Sequence, residues 1–386
     1  MKGWSTRTIQ TLVNASPKVK QLPSDTNVWN LNLDQIESHG GRVIEKVYVS
    51  AEKLGPSTFA FEPRTVLYSK LRPYLNKVVV ADEAGFATTE LVPLRCNPDD
   101  VHPEYLAYFL RSDAFLRFAT EVVAGAKMPR MVMSEFWNFQ VPVPPLPEQR
   151  RIAAILDQAD ALRAKRREAL AQLDSLTQSI FIEMFGDPVV NPKKWNVIPF
   201  KDACETKLGK MLDARQQTGQ DKRRYLRNAN VQWFHIDLFD LLEMDFDSDA
   251  RSTFSLKGGD LLICEGGEPG RAAIWHAELE DIYFQKALHR GRPKSEVANP
   301  EYLVWLLWFL AHNGGLGDHV TAATIAHLTG EKLKAMPIPV PPLALQKTFA
   351  TRLQSLDALK ASHRSALQEL DRLFASLQHG AFSGEL

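Results

Sequence analysis

Between 152 and 184 the chain places Ile152, Leu156, Ala159, Leu162, Leu170, Leu173, Thr177, Ile180 and Met184 in steps that are mostly three and four. That spacing lays one narrow stripe along a helix and leaves the remaining faces polar, as in a coiled-coil seam. The same stripe returns in Phe349, Leu353, Leu356, Leu359, Leu367, Leu370, Phe374 and Leu377. Polar breaks at Arg166 and His363 fall at equivalent points, so the two seams share a register. Ahead of each helix runs a proline strap, "VPVPP" from Val141 and "IPVPP" from Ile338. Alternating Pro and β-branched residues forbid helix and favour an edge strand or polyproline II. Pro147 and Glu148 suit the first turn of the helix that follows.

Comparing 141–176 with 338–373 without a gap gives 18 identities in 36 positions, among them Gln149/Gln346 and Asp160-Ala161-Leu162/Asp357-Ala358-Leu359. "PEYL" at 103–106 recurs at 300–303 with the same offset. The chain is therefore a tandem duplication, each copy a globular unit followed by a strap and a helix. Two helices of some 35 residues are each about 50 Å long. Both are narrowly amphipathic and a globular unit separates them, so an antiparallel pair burying seam on seam is expected, with Leu156, Leu162, Leu170 and Leu173 facing Leu353, Leu359, Leu367 and Leu370. Within the globular units, 65–82 and 258–278 read as strand, turn, strand. "PEYLAYFLRSDAFLRFAT" and "PEYLVWLLWFLAHNGGLG" each read as an apolar helix. The expected class is α+β: α/β globular units at 1–141 and 188–337, with strap-and-helix segments at 142–187 and 338–386.

Composition narrows the function. Apolar content of 45% and charged content of 24% are ordinary for a soluble globular chain. No apolar run is long enough to span a membrane, and the N-terminus lacks a signal-peptide core. Three scattered cysteines, Cys96, Cys204 and Cys264, form neither a disulfide framework nor a metal clip, so a reducing cytoplasm is the expected location. Net charge is zero, 46 basic against 46 acidic residues, so any nucleic-acid site needs its positive charge gathered on one face. "NPEY" at 299–302 lacks the second proline of an adenine-methyltransferase motif, and its counterpart is "HPEY", so it reads as a helix start. "EGGEPGR" at 265–271 lacks Gly-Lys-Ser/Thr and reads as a turn. The ten histidines show no metal spacing, and no catalytic triplet has local support. Neither metal nor cofactor is expected.

What remains is a set of basic, amide and aromatic residues at turns. The first copy offers Lys70, Arg72, Tyr74, Asn76, Lys77, Lys127 and Arg130. The second offers Lys207, Lys210, Arg215, Gln216, Gln217, Lys222, Arg223, Arg224, Arg227, Asn228 and Asn230. Arg and Lys neutralise phosphates or fork onto guanine, while Asn and Gln fit adenine edges.

The duplicated strap and helix, "IFIEMFGDPVVNPKKW", "SKLRPYLNK", "YLRNANV" and the closing "AFSGEL" together resemble the specificity subunit of Type I restriction–modification enzymes over essentially the whole chain. The resemblance implies that the globular units are target-recognition domains, each reading half of a split, asymmetric double-stranded DNA sequence. It also implies that paired helices set the spacing, that two methyltransferase subunits dock on them with restriction subunits joining, and that the chain itself catalyses nothing. Ala344-Leu345 stands in the second strap where the first has Pro147-Glu148, so the two partner surfaces need not be equivalent. Two rivals are a duplicated scaffold that binds only proteins and an enzyme with an unseen site. Salt-dependent binding to duplex DNA separates the first, and assays of the isolated chain for methyl transfer and cleavage separate the second.

Overall fold

The computed structural model describes residues 4–14, 23, 25–213, 217–317 and 327–386. The chain divides into two compact units: Met1–Glu168 with Arg364–Leu386, and Ala169–His363. Both long helices, Leu146–Phe185 and Leu343–Ser383, run through that division. Each unit therefore contains the start of one helix and the end of the other. Among the described residues no helix is long and apolar enough to cross a membrane.

In the first unit an antiparallel sheet runs in the order Val13–Asn14, Leu91–Cys96, Val66–Ser69, Val78–Val80. A second sheet has the order Tyr48–Ser50, Asn27–Leu31, Gly85–Thr88, Thr58–Phe61, with its two central strands parallel. The second unit repeats the first sheet with Cys204–Leu208, Leu288–Pro293, Leu261–Cys264 and Ala272–Ile274. It reduces the other to Leu242–Asp245, Lys222–Leu226 and Tyr283–Phe284, again with one parallel pairing. The strand–turn–strand expectations are met in both copies. "PEYLAYFLRSDAFLRFAT" is not one helix but two, Pro103–Leu110 and Asp113–Glu121. Ser112 causes the break: its side chain accepts from the Phe115 amide, an N-cap that a continuous helix would forbid. The copy lacks that serine and its helix, Pro300–His312, runs on past the equivalent point, but it ends before "NGGLG", which turns instead of continuing the expected helix.

The straps are edge strands. Gln140–Val143 pairs antiparallel with Ser5–Thr8, and Pro337–Val340 with Asn196–Pro199. Proline is tolerated because each pairing has only two strands and the ring can face away from the ladder. A buried glutamine then ties strap to helix in each copy. Gln149 Nε2 donates to the carbonyls of Asp100 (2.9 Å) and Pro144 (2.8 Å), while its Oε1 accepts from the His102 amide at 2.8 Å. Gln346 does the same with Val297 (3.1 Å), Pro341 (2.8 Å) and the Asn299 amide (2.9 Å). Tyr105 and Tyr302 of the repeated "PEYL" complete the joint, donating to the carbonyls of Pro142 at 2.8 Å and Pro339 at 2.6 Å.

Within each unit the two helix segments run antiparallel. In the first, Arg151 bonds the carbonyl of Leu386 and Arg163 bonds Asp371. In the second, Lys360 pairs with Asp174 and Phe349 meets Phe181. The seam differs from expectation in its middle. Leu156 and Leu353 are buried, and Leu170, Leu173, Leu367 and Leu370 are half-buried. Leu162 and Leu359, however, are 50% and 45% exposed. The next residue in each helix, Arg163 or Lys360, takes the inward position instead. Arg163 bonds Asp160 and Asp371 at 2.8 and 2.7 Å and stacks on Phe374, 4.3 Å from the ring centre. Lys360 lies 2.9 Å from Asp174 and 3.1 Å from the Thr177 hydroxyl. A seam chosen by counting apolar residues misses this, because a long cation can bury its stem when an acid meets its tip.

Candidate nucleic-acid interface

In the first unit the turn after Val66–Ser69 is shaped by two left-handed residues, Arg72 and Asn76, both at φ 49°, which flank the short helical turn Pro73–Leu75. Asn tolerates that backbone, whereas Arg there costs about 1–2 kcal/mol. A second segment is zipped against this turn. The Arg72 amide donates to the Pro129 carbonyl and the Met131 amide to that of Lys70, both at 2.8 Å. Lys70, Arg72 and Tyr74 are thereby brought beside Lys127 and Arg130, two clusters that the sequence nominated separately. Arg130 is held by Glu90 through Nε and Nη2 at 2.9–3.2 Å, and its guanidinium keeps that carboxyl below the usual range. Arg72, Tyr74 and Lys127 are exposed. Two expected members drop out. Asn76 is buried with its amide on the Arg111 carbonyl at 3.1 Å, so it shapes the turn rather than meeting a base. Lys77 spends its amine on the Leu33 carbonyl at 2.6 Å.

The second unit builds the same joint with different chemistry. The Leu328 amide donates to the Glu265 carbonyl (2.7 Å) as Met131 does to Lys70, and Gly266 bridges His327 as Leu71 bridges Arg130. Arg271 reaches the Asn228 carbonyl at 3.1 Å, the place of Lys77 on Leu33. The turn itself, "EGGEPGR", presents acids. Of the expected residues, Lys207, Lys222 and Arg224 are exposed. Lys210 donates to the Asp245 carbonyl at 2.6 Å, Arg223 pairs with Asp281 at 2.8 Å, and Arg227 pairs with Asp240. Asn228 donates to the Gly266 carbonyl at 2.8 Å. Asn230 is buried, bonded to the carbonyls of Asp237 and Asp240 and to the Arg227 amide, which corrects its assignment to a DNA edge. Gln217 accepts from the Asp245 amide at 2.8 Å. Arg215 and Gln216 lie outside the described residues.

The family described as Type I restriction modification DNA specificity domain matches residues 56–172 and 192–372. The chain belongs to this family. Among curated members it is 26% identical over 187 residues to the EcoDI specificity subunit of Escherichia coli, spanning 47% of this chain and 41% of that protein. With the MjaVIII specificity subunit of Methanocaldococcus jannaschii it is 23% identical over 321 residues, 78% of this chain and 74% of the relative. The fold is shared with a chain solved in a study of complex assembly and conformational transition of the type I R-M system: TM-score 0.63, 19% identity, 100% of this chain and 99% of that one.

Each match to the specificity-domain family contains one of the two zipped turns and the Gln-locked strap of its copy. The sequence reading missed Glu90, which fixes Arg130, and the group formed by Trp233, Glu268 and Arg271. Aligning 69–77 with 264–271 would have singled out Glu268 and Arg271, since the acidic turn occupies the place of the basic one, but not Trp233, which the fold brings to Glu268 from 35 positions away. Among the described residues no group of three or more His, Cys, Asp or Glu is placed to hold a metal. Burial pushes the thiols of Cys96 and Cys264 up to about 12 and about 11, which keeps them protonated and poorly nucleophilic.

Proposed function

We propose that the chain is the DNA-specificity subunit of a Type I restriction–modification complex, non-catalytic in itself, in which each unit reads one half of a split duplex site. The target-recognition domains are assigned to 1–141 and 188–337, and the strap-and-helix segments to 142–187 and 338–386. The long helices form an antiparallel coiled-coil spacer and dock two methyltransferase subunits, with restriction subunits joining the assembly.

One observation carries this reading. The same joint of tyrosine, glutamine, strap and helix is built twice, yet the turns beside it diverge from Lys70 and Arg72 in one copy to Glu265 and Glu268 in the other. A duplicated frame with unlike tips suits two readers of unlike sequences on one support. Lys70, Arg72, Tyr74, Lys127 and Arg130 are the contacts assigned to the first unit. Lys207, Arg215, Gln216, Lys222, Arg223, Arg224 and Arg227 are those assigned to the second; Lys210 and Asn228 spend their polar groups on backbone carbonyls, as Lys77 and Asn76 do.

The test is binding of the full chain, with its methyltransferase partner, to duplex DNA across a salt series. Replacing Lys70, Arg72 and Lys127 by Ala is expected to flatten the log–log salt slope by about 0.9 for each phosphate that is no longer neutralised, and to leave the melting temperature unchanged. A slope unaltered by the triple substitution removes the first unit's turn from the interface.

A further inference from the structure

Glu268 sits in the turn that replaces Lys70–Lys77 of the other copy, and it is 46% exposed on its side chain yet fixed at both oxygens. Trp233 Nε1 donates to Oε1 at 2.5 Å and Arg271 Nη1 to Oε2 at 3.2 Å. Arg271 is anchored in turn by the Asn228 carbonyl at 3.1 Å, and the Asn228 amide holds the Gly266 carbonyl at 2.8 Å. The loop needs Gly267 in this ring: at φ 76° a Cβ there would come within 2.8 Å of Asn228 Nδ2. A carboxylate has about four acceptor sites, so two donors leave each oxygen able to accept once more toward solvent. An exposed acid restrained this way loses little side-chain freedom when it meets a ligand. Exposed Lys286 adjoins the turn through Ala287, whose carbonyl accepts from the Glu265 amide at 2.9 Å.

We propose that Glu268 is a base-reading residue of the second unit, accepting a hydrogen bond from the exocyclic amine of a cytosine in its half-site. The inference rests on the specificity-subunit reading given above. A carboxylate repels phosphates, so on a DNA-facing turn it is suited only to the groove floor, where base amines donate. The major groove offers two such amines, cytosine N4 and adenine N6. Adenine sets its N7 acceptor beside the amine, which opposes the second carboxylate oxygen, while cytosine has no acceptor there. Lys286 then answers the backbone phosphate and Glu268 the base. In the first unit Arg72 holds the equivalent turn, and a guanidinium forks onto guanine instead. The two copies thus place opposite charges on one turn, Arg72 in the first and Glu268 in the second, which suits opposite hydrogen-bonding edges.

The experiment selects a randomised duplex library with the full chain co-expressed with the other subunits of its system, comparing the native chain with Glu268→Gln. An amide offers a donor beside its acceptor, the match for adenine N7 and N6. The variant is expected to lose about 10-fold in preference for cytosine at one position of one half-site and to gain tolerance of adenine there, the other half-site being unchanged. Trp233→Phe keeps the ring and removes one brace. It is expected to lower discrimination at the same position without changing the preferred base, which covers the case in which Glu268→Gln folds poorly. A split motif recovered with identical enrichment by native and Glu268→Gln chains overturns the assignment of Glu268 alone. Failure of the native chain to enrich any split motif overturns the specificity-subunit reading and this inference with it.

Discussion

The buried cation of the second unit's helix pair gives a sharp test of how the seam is held. Lys360 is 7% exposed, and its two partners are the Asp174 carboxylate at 2.9 Å and the Thr177 hydroxyl at 3.1 Å. Removing one member of a fully buried pair costs about 3–5 kcal/mol, because a charge is left uncompensated. The Asp174 side chain is 62% exposed, so water stands close and the lysine can shift toward it. The cost of Asp174→Ala should therefore fall to about 1–2 kcal/mol, between the exposed and buried limits. Lys360→Met keeps most of the stem, removes the charge and leaves Asp174 in water, so its cost should stay within about 0.5 kcal/mol. A unit of this size shifts by about 2–4 °C per kcal/mol, which calorimetry resolves. The double variant should match Lys360→Met. If Lys360→Met destabilises as much as Asp174→Ala, the ammonium is contributing net attraction and the desolvation reasoning is wrong.

Three further outcomes are expected. Burial holds the His289 imidazole below its usual range, against the opposing pull of the Leu328 carbonyl 3.0 Å from Nε2. The folded histidine therefore takes up a proton less readily than the unfolded chain, which does so near pH 6.5. Stability is thus intact above about 6.5 and declines as pH falls below it. Melting curves between pH 7.5 and 5.5 should show that loss, and His289→Val, which installs the residue type of its counterpart Val92, should reduce it, leaving the part contributed by His102, which burial also holds below its usual range. Gln149→Ala strands the His102 amide and the Asp100 and Pro144 carbonyls in a joint whose glutamine is buried and whose other partners are half-buried or buried, so urea unfolding should report a loss of about 1–3 kcal/mol. Finally, four residues inserted within 163–170 lengthen a helix by about 6 Å and should move the preferred spacer between half-sites by one or two base pairs. Library selection reads that directly, and an unmoved spacer refutes the ruler.

Periodicity and repetition make the duplication, both long helices, the straps and the strand–turn–strand units legible in the sequence, because each is a local or self-similar pattern. The helix break at Ser112 was within reach of the same reasoning, since an N-cap residue stands there inside an apolar run, but the apolar pattern hid it. The seam failed at Leu162 and Leu359 because counting apolar residues cannot see that a neighbouring Arg163 or Lys360 has an acid waiting across the pair. Among the site residues, composition found the basic turns but could not tell a free edge from a used one. Asn76, Lys77 and Asn230 carry the right groups and spend them inside the fold.

The sequence by itself therefore determined the plan of this protein: two copies, each a globular unit, a strap and a helix. Only the tertiary structure decided which side chains remain available, and that Glu268 stands on the turn that carries Arg72 in the other copy. The difference is physical. Secondary structure follows from spacings of a few residues, whereas the fate of a polar tip depends on a partner that the chain brings to it from dozens of positions away.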